Sequence, residues 1–362
     1  MRWGWAVSVG NSSVRILFIG ELVPHSRTFQ RKRVLEEIGC DVTAYSTVPE
    51  HESLDGTTSI LCRILWKTGF PPDLTSINKV IVQEVRRSSP DILWIEKGNT
   101  IYPSTLKTVG ILAPSTKIVS FAEDDMFALH NRSWFYTLGL KHYSVVFTTK
   151  SYNSNYNELP RLGAKKVVFV DNTYDIHTHR PLPVTPDDKA ALGADIGFIG
   201  MYEKQRAESL LHLAKNGIAV RIWGNGWQHM SGRHPNMLIE GRAIYGESYI
   251  KSICSTRINL CFLRKANRDQ QTCRSLEIPA CGAFMLAERT QEHLRLFREG
   301  VEAAYFDTDE ELLRKVQYYM EHETERKAIA AAGRKRCETS RCSNHDRMQD
   351  ALQLINSIPR TG

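Results

Sequence analysis

The sequence predicts an α/β protein with two doubly wound, Rossmann-like parallel-sheet domains and a helical C-terminus. Three observations lead there. Short apolar runs alternate with amphipathic stretches along most of the chain. The alternation stops between residues 171 and 189 and then restarts. After "AAYFD" the pattern is helical only. A length of 362 residues suits two domains of ordinary size.

The elements follow in order. "VRILFIG" reads as a buried strand, "RTFQRKRVLEEIG" as a helix and "DVTAYS" as a second strand. The helical "INKVIVQEVRRSSP" precedes the strand "DILWIEKG", and "PSTLKTVGILAP" precedes "TKIVSFAE". "WFYTLGLKHY" leads to "SVVFTTK", and a helical "SNYNELPRLG" leads to "KKVVFVDN". Such strand–helix repeats argue for parallel sheets covered on both faces. "DNTYDIHTHRPLPVTPDDK" has three prolines and no apolar period, so it reads as a linker. Beyond it come "DIGFIG", "KQRAESLLHLAKNG", "AVRIWG", "ESYIKSICST", "INLCFL", a short helix, "AFMLAE", "QEHLRLFREG" and "AAYFD". The expected domains are 1–175 and 190–340, with a C-terminal helix over 341–362 packing back on the first. Ligands of such sheets bind outside the carboxyl ends of the strands, here in a cleft between the domains.

Composition excludes several classes. Hydrophobic residues make up 42% and charged residues 24%, an ordinary globular balance. No apolar run approaches the ~20 residues that span a bilayer. "MRWGWAVSVGNSS" has too short an apolar core for a signal peptide and reads as a loose arm. The eight cysteines form no C-x-x-C pair and read as reduced core residues of a cytoplasmic protein, which makes the sequons at Asn11 and Asn131 irrelevant. The net charge of +7 comes without interleaved aromatics or a nucleic-acid signature, so no nucleic-acid partner is expected. The basic runs "FQRKRV" and "GRKRC" are either solvated helix faces or attract phosphates, on a nucleotide or on the inner face of a membrane by peripheral contact.

The most informative stretch is "DQQTCRSLEIPACGAF", residues 269–284. Thr272 is a plausible N-cap, with Asp269 in the preceding loop and Arg274 in the first turn. Free N–H groups and a guanidinium there attract phosphate. Glu277 could accept both hydroxyls of a ribose. Gly282 ends the helix, and Pro279 sits awkwardly near that end. A capped surface helix with incidental charges reads the same way.

"RSLEIPACGAFML" resembles the R-x-x-E-x-x-A-C/S-G-x-x-x-L segment of GT-B glycosyltransferases, and the chain is most similar to the spore-maturation-type glycosyltransferase-like proteins. The flanking "DIGFIGMYEKQRAESLLHLAKNG", "VRIWGNGW" and "STRINLCFL" occur in the expected order, and the likeness is strongest over 195–337. It implies a GT-B fold with a donor-binding second domain and an acceptor-binding first one. Glu277 would bind the nucleotide ribose, while Cys273 (through its main chain) and Arg274 would face the diphosphate. Asp269 takes the place of the first acid of the E-x7-E pair, which contacts the donor sugar; this chain has Asp where the pair has Glu.

Other candidates accompany this segment. Gly200 after "DIGFIG" permits close backbone approach, and Lys204 and Arg206 can reach a phosphate. In "IWGNGW", Gly224 and Gly226 form a tight turn, with Trp223 or Trp227 as a wall of a base pocket. Tyr245 and Gly246 resemble a loop and helix cap that contact the base. In the first domain, His25, Ser26 and Arg27 follow one strand, and Glu123, Asp124 and Asp125 end another, with His130 beyond. Asp124 or Asp125 is the candidate base for an inverting reaction, with His25 nearby. Glu96 and Lys97 are cleft residues or a salt-bridged strand end. Each of these positions also has a plain structural reading. Asp307 and Asp309 form a D-x-D, but Asp309 reads as the N-cap before "EELL", so no metal site is expected. Arginines, a lysine and a helix N-terminus can meet the charge of a departing diphosphate without a metal or other cofactor.

The expected activity is therefore transfer from a nucleotide-diphosphate sugar, UDP-sugar favoured, to a carbohydrate or glycolipid acceptor hydroxyl in bacterial polysaccharide or glycolipid assembly. A nucleotide-sugar 2-epimerase of the same fold and a non-catalytic nucleotide-sugar-binding module are the alternatives. Stereochemistry and oligomeric state are open.

Overall fold

The structure, a computed structural model, describes residues 13–49 and 60–359. The arm expected before the first strand, including Asn11, lies almost wholly outside them. Met1–Val170 with Met348–Gly362 form one compact unit, and Asp171–Arg347 form the other.

In the first unit the elements are β1 (Arg15–Gly20), α1 (Arg27–Glu37), β2 (Asp41–Ser46), α2 (Ile60–Thr68), α3 (Ile77–Ser88), β3 (Ile92–Glu96), α4 (Pro103–Leu112), β4 (Lys117–Ala122), α5 (Trp134–Gly139), β5 (Val145–Thr148) and β6 (Val167–Phe169). The strands form one parallel sheet ordered β2-β1-β3-β4-β5-β6. Phe18, Trp94, Phe121 and Phe147 stand on successive strands of one face. The Trp94 ring lies 6.3 Å from Phe18, 5.8 Å from Phe121 and 6.1 Å from Phe147. Such cross-strand rings bury large apolar area and fix register. The last helix of the chain covers this face through Met348, Ala351 and Ile355, a helical stripe of three buried side chains.

In the second unit they are α6 (Pro186–Leu192), β7 (Ala194–Ile199), α7 (Lys204–Lys215), β8 (Val220–Trp223), β9 (Met237–Ile239), α8 (Gly246–Ser255), β10 (Thr256–Cys261), α9 (Arg274–Ala280), β11 (Met285–Glu288), α10 (Gln291–Leu296), β12 (Ala304–Phe306), α11 (Asp309–Glu321) and α12 (Glu323–Thr339), followed by α13 (Asn344–Asn356). The parallel order is β12-β11-β10-β7-β8-β9. One face is sealed by Leu210 and Leu213 of α7 and by Leu312 and Val316 of α11. The other is sealed by Ile250 and Ile253 of α8 and by Leu276 and Ile278 of α9. All eight cysteines are free thiols.

In each sheet the strand order reverses at one place, between β1 and β3 in the first and between β7 and β10 in the second. Crossovers leave in opposite directions there, so a crevice opens at the carboxyl ends of those strands.

Three expectations are corrected. Residues 171–189 are no free linker. Asn172, Thr173, Tyr174, Asp175 and His179 are all buried within the second unit, and Pro186 starts α6 behind a Thr185–Asp188 capping box. "SNYNELPRLG", residues 154–163, follows a 3₁₀ turn over Ser151–Ser154 and consists of irregular turns, not an α-helix; Pro160 and Gly163 are poor helix residues. The cap of α11 is Thr308, whose hydroxyl accepts from Glu311 N, while Asp309 is the first helical residue. Asp307 is paired with Arg289.

Candidate functional site

The site grows from α9. This helix starts at Arg274, with Cys273 as the boundary residue. The expected Thr272 cap is replaced by a different device. Thr272 N donates to Ser275 Oγ at 3.0 Å, and that hydroxyl lies 2.7 Å from His293 Nε2. His293 Nδ1 is 2.7 Å from the Glu288 carbonyl oxygen, which can only accept. The ring is therefore the neutral Nδ1–H tautomer, and Ser275 donates to Nε2. Gly282 ends α9 at φ +71, with Gly282 N bonded to Pro279 O and Ala283 N to Ile278 O, a Schellman pair. Pro279 sits in the last turn, where only its own N–H bond is missing.

Burial holds His293 down to about 4 despite the help of the Glu288 carbonyl. In the unfolded chain an imidazole protonates near pH 6.5. Between that pH and about 4 the unfolded state therefore binds the extra proton, and stability falls as pH falls. His293→Gln is expected to flatten that part of the stability-versus-pH curve, read as urea midpoints between pH 7 and 4.

Arg274 opens α9, half-buried. Its Nε is buried and has no hydrogen-bond partner. Burial disfavours the guanidinium charge, but Tyr249, Cys261 and Glu277 outweigh this and raise its pKa. Arg206, from the first turn of α7, lies close enough that burial and then the Arg274 charge push its pKa down. Arg206 also spans the strand-order reversal: Nε donates to Leu263 O after β10 at 3.4 Å, and Nη1 donates to Met201 O after β7 at 3.2 Å. A long ion pair to Glu203, 3.8 Å from Nε, partly offsets the lowering of its pKa. Two guanidiniums that repel each other at the carboxyl ends of β7 and β10 suit an anion.

One turn along α9, Glu277 is 7% exposed. Tyr249 donates its hydroxyl to Oε2 at 2.6 Å, and His179 Nε2 is 3.5 Å from Oε1. Burial and then Glu277 push the Tyr249 hydroxyl well up, so it stays protonated. Asp175 N donates to His179 Nδ1 at 2.9 Å, which leaves the proton on Nε2, facing Glu277. Buried Asp175 accepts from the backbone of His177 and Thr178. Gln271 braces the start of α9, donating to Asp171 and Glu292 at 2.7 and 2.8 Å. Sequence reasoning missed Tyr249, His179, Asp175, Gln271 and His293. Only Tyr249, four residues after Tyr245 on α8, had a periodic signal.

The remaining second-unit candidates divide. Tyr245, half-exposed, precedes α8, and Gly246 follows at φ +57. Cys273 donates its thiol to Asn172 Oδ1 at 3.4 Å. Asp269 is buried and folded back on its own loop, accepting from Arg264 N and Asn267 Nδ2. Lys204 stands on an exposed face near Glu208, its side chain 84% accessible. Trp223 and Trp227 are buried in the core, so neither forms an open pocket wall. Trp227 Nε1 instead donates to Gly200 O at 2.8 Å. A Cβ on Gly224 would stand 2.0 Å from that same oxygen. A cavity of about 890 Å³ also exists in this unit, but residues such as Ala194, Asp195, Thr256 and Arg257 place it at the opposite, amino ends of the strands.

In the first unit a cavity of about 510 Å³ opens at the carboxyl ends of β1 and β3. Arg27, Thr28, Trp66, Lys97, Asn99 and Asp124 contribute to its lining. Arg31 clamps Glu96 at 2.9 and 2.5 Å, Trp94 Nε1 adds a third bond to that carboxylate, and Arg31 also reaches Glu123 at 2.6 Å. Burial would raise Glu123, but Arg27 and Arg31 outweigh it and hold the carboxyl down to about 2. Asp124 pairs with Lys97 at 2.5 Å on the cavity wall. Asp125 is fully buried and accepts from Phe127 N and Asn153 Nδ2, so it holds the turn and does not face a substrate. His25 is exposed at φ +67, outside the lining residues, and Ser26 caps α1.

Residues 205–353 match the family model described as glycosyl transferase-like. No curated protein matches the chain. Among solved structures, sucrose-phosphate synthase from Thermosynechococcus elongatus superposes with a TM-score of 0.66 at 12% identity, covering 94% of this chain and 98% of that one. HepE from Anabaena, in complex with UDP and glucose, gives 0.62 at 13% identity over 95% and 100% of the two chains. A glycosyltransferase from Rickettsia africae ESF-5 gives 0.61 at 13% identity over 97% and 100%. The fold is GT-B. In this GT-B chain Arg206, Arg274 and Glu277 all lie in the stretch that the family model matches. No helix among the described residues is long and apolar enough to cross a membrane.

Proposed function

We propose that the second unit binds the nucleoside diphosphate part of a nucleotide sugar, UDP-sugar favoured, and that the chain transfers the sugar to an acceptor hydroxyl. The observation that carries this reading is the unpartnered, buried Nε of Arg274 beside Arg206, one helical turn from Glu277. A diphosphate supplies the missing acceptors for the guanidiniums, and a ribose diol supplies donors for the remaining capacity of Glu277. The UDP-bound neighbour of the same fold supports the choice of base. As the glycosidic bond breaks, negative charge grows on the diphosphate, and Arg206 and Arg274 are already placed to stabilise it without reorganisation. No cofactor or metal is assigned to this step.

The acceptor, a carbohydrate or glycolipid, is assigned to the first-unit cavity. Asp124 is the only one of the proposed bases whose carboxylate reaches that cavity; release from Lys97 would free it to take the hydroxyl proton. A bacterial polysaccharide or glycolipid pathway and a spore-maturation-type relationship belong to the same proposal.

Thermal shifts with uridine, guanosine, thymidine and adenosine diphosphates test the donor site. UDP is expected to raise the midpoint by mass action, and Arg274→Ala to weaken UDP by about tenfold or more. Equal shifts with and without Arg274 would exclude the assignment. Incubation with UDP-sugar alone separates the chemistry: epimer without acceptor would mark a 2-epimerase, and binding without turnover a non-catalytic module.

A further inference from the structure

Sharing Trp66 with the first-unit cavity, a second hollow of about 470 Å³ lies between α2 and the start of α5. Its walls include Trp66, Leu129 and Trp134 together with Lys67, His130 and Arg132. Among the described residues no carboxylate lines it. The apolar members are not core residues: Trp66 is 45%, Trp134 48% and Leu129 71% exposed.

The elements that carry it expose further apolar side chains. Ile64 and Phe70 flank Trp66 in sequence, and Leu138 lies one turn after Trp134 on the same face of α5; each is more than a third exposed. At the far end of α5 from the hollow, exposed Lys141, with Lys107 of α4 and Lys165 before β6, lies near His142, and burial followed by these charges lowers its pKa. A globular surface rarely leaves so many large apolar side chains together without a partner. Tryptophans with leucines beside lysines and arginines match the boundary of an anionic bilayer, where indoles sit at headgroup depth and cations meet phosphates.

We propose that this face, formed by Trp66 and Lys67 of α2, the loop carrying Leu129, His130 and Arg132, and Trp134 of α5, is a peripheral docking surface for an anionic phospholipid bilayer. Trp66, Leu129 and Trp134 enter the acyl boundary, and Lys67, His130 and Arg132 lie against headgroup phosphates. The inference stands apart from nucleotide binding, which belongs to the other unit.

Co-sedimentation of the full chain with vesicles tests it. Phosphatidylcholine with about 30% phosphatidylglycerol is expected to pellet the protein, whereas phosphatidylcholine alone is not, and added salt is expected to release it. Leu129→Ala with Trp134→Ala should lower partitioning at least about tenfold. Lys67→Glu, on an exposed side chain, should lower it severalfold without touching the core. Each variant's thermal midpoint and UDP-induced shift show whether the fold is kept. Absence of pelleting with anionic vesicles, equal pelleting with both vesicle types, or unchanged partitioning in folded variants would overturn the proposal. Displacement by millimolar glycerol phosphate would overturn it too, by identifying a site for a free phosphate.

Discussion

Glu277→Ala is expected to weaken UDP binding by about ten- to hundredfold, the worth of one or two hydrogen bonds to a charged group. The reason is positional. Glu277 is nearly buried, and the Tyr249 hydroxyl and the His179 Nε2–H hold its two oxygens in place. A carboxylate so fixed loses little entropy when a ribose arrives. Removing it also leaves the Tyr249 hydroxyl stranded, so some loss of stability is expected alongside. Glu277→Gln separates the two effects, since it keeps the shape and one acceptor but loses the charge. Calorimetric titration of UDP into both variants checks this. Unchanged affinity in a folded Glu277→Gln and a folded Glu277→Ala protein would remove the residue from the site.

Gly224→Ala is expected to destabilise the second unit by about 3 kcal/mol or more. At φ +149 the backbone of Gly224 passes so close to the end of β7 that an added Cβ would overlap Gly200 O. That oxygen cannot retreat freely, because it accepts from Trp227 Nε1 while Gly200 N donates to Trp223 O at 2.8 Å. The loop after Gly200 carries Met201, whose carbonyl holds Arg206. A displaced β7 end therefore reaches the anion site as well as the core. Gly232→Ala is the control: its φ is +74, but nothing lies within 4 Å of the added carbon, so only the backbone preference is lost, about 1 kcal/mol. Urea midpoints of the two variants distinguish close approach from backbone conformation alone; equal losses would reject the overlap argument.

Much of the fold was legible because burial is periodic. "VRILFIG", "DILWIEKG" and "TKIVSFAE" are strands because a sheet covered on both faces needs unbroken apolar runs. β9 was missed: its apolar run ends with the strand itself, between Asn236 and Glu240, whereas the runs that hold the equally short β6 and β12 extend to Val170 and Ala303. The segment "RSLEIPACGAF" was readable in detail, since a helix start, its charged residues and its terminal glycine lie within a few positions of one another. The bracing of that segment was not. His179 and Asp175 lie about a hundred residues upstream in a polar, proline-rich stretch, and their burial depends on hydrogen bonds that no local pattern encodes. Asp124 and Asp125 looked equivalent as neighbours at a strand end, yet one lines a cavity and the other is buried under a turn.

By itself the sequence determined the parallel α/β architecture, the position of α9 with its terminal Gly282, and the presence of both Arg274 and Glu277 on that helix, because each follows from local periodicity and from the glycine stop. Tertiary structure alone decided which charges are usable. Arg206 came to lie beside Arg274, Lys204 was left in solvent, Asp269 turned back on its own loop, and Asn172, Thr173, Tyr174, Asp175 and His179 of the expected linker were buried. The physical reason is that a charge acquires its role from desolvation and from partners distant in the chain, and both exist only once the chain has packed.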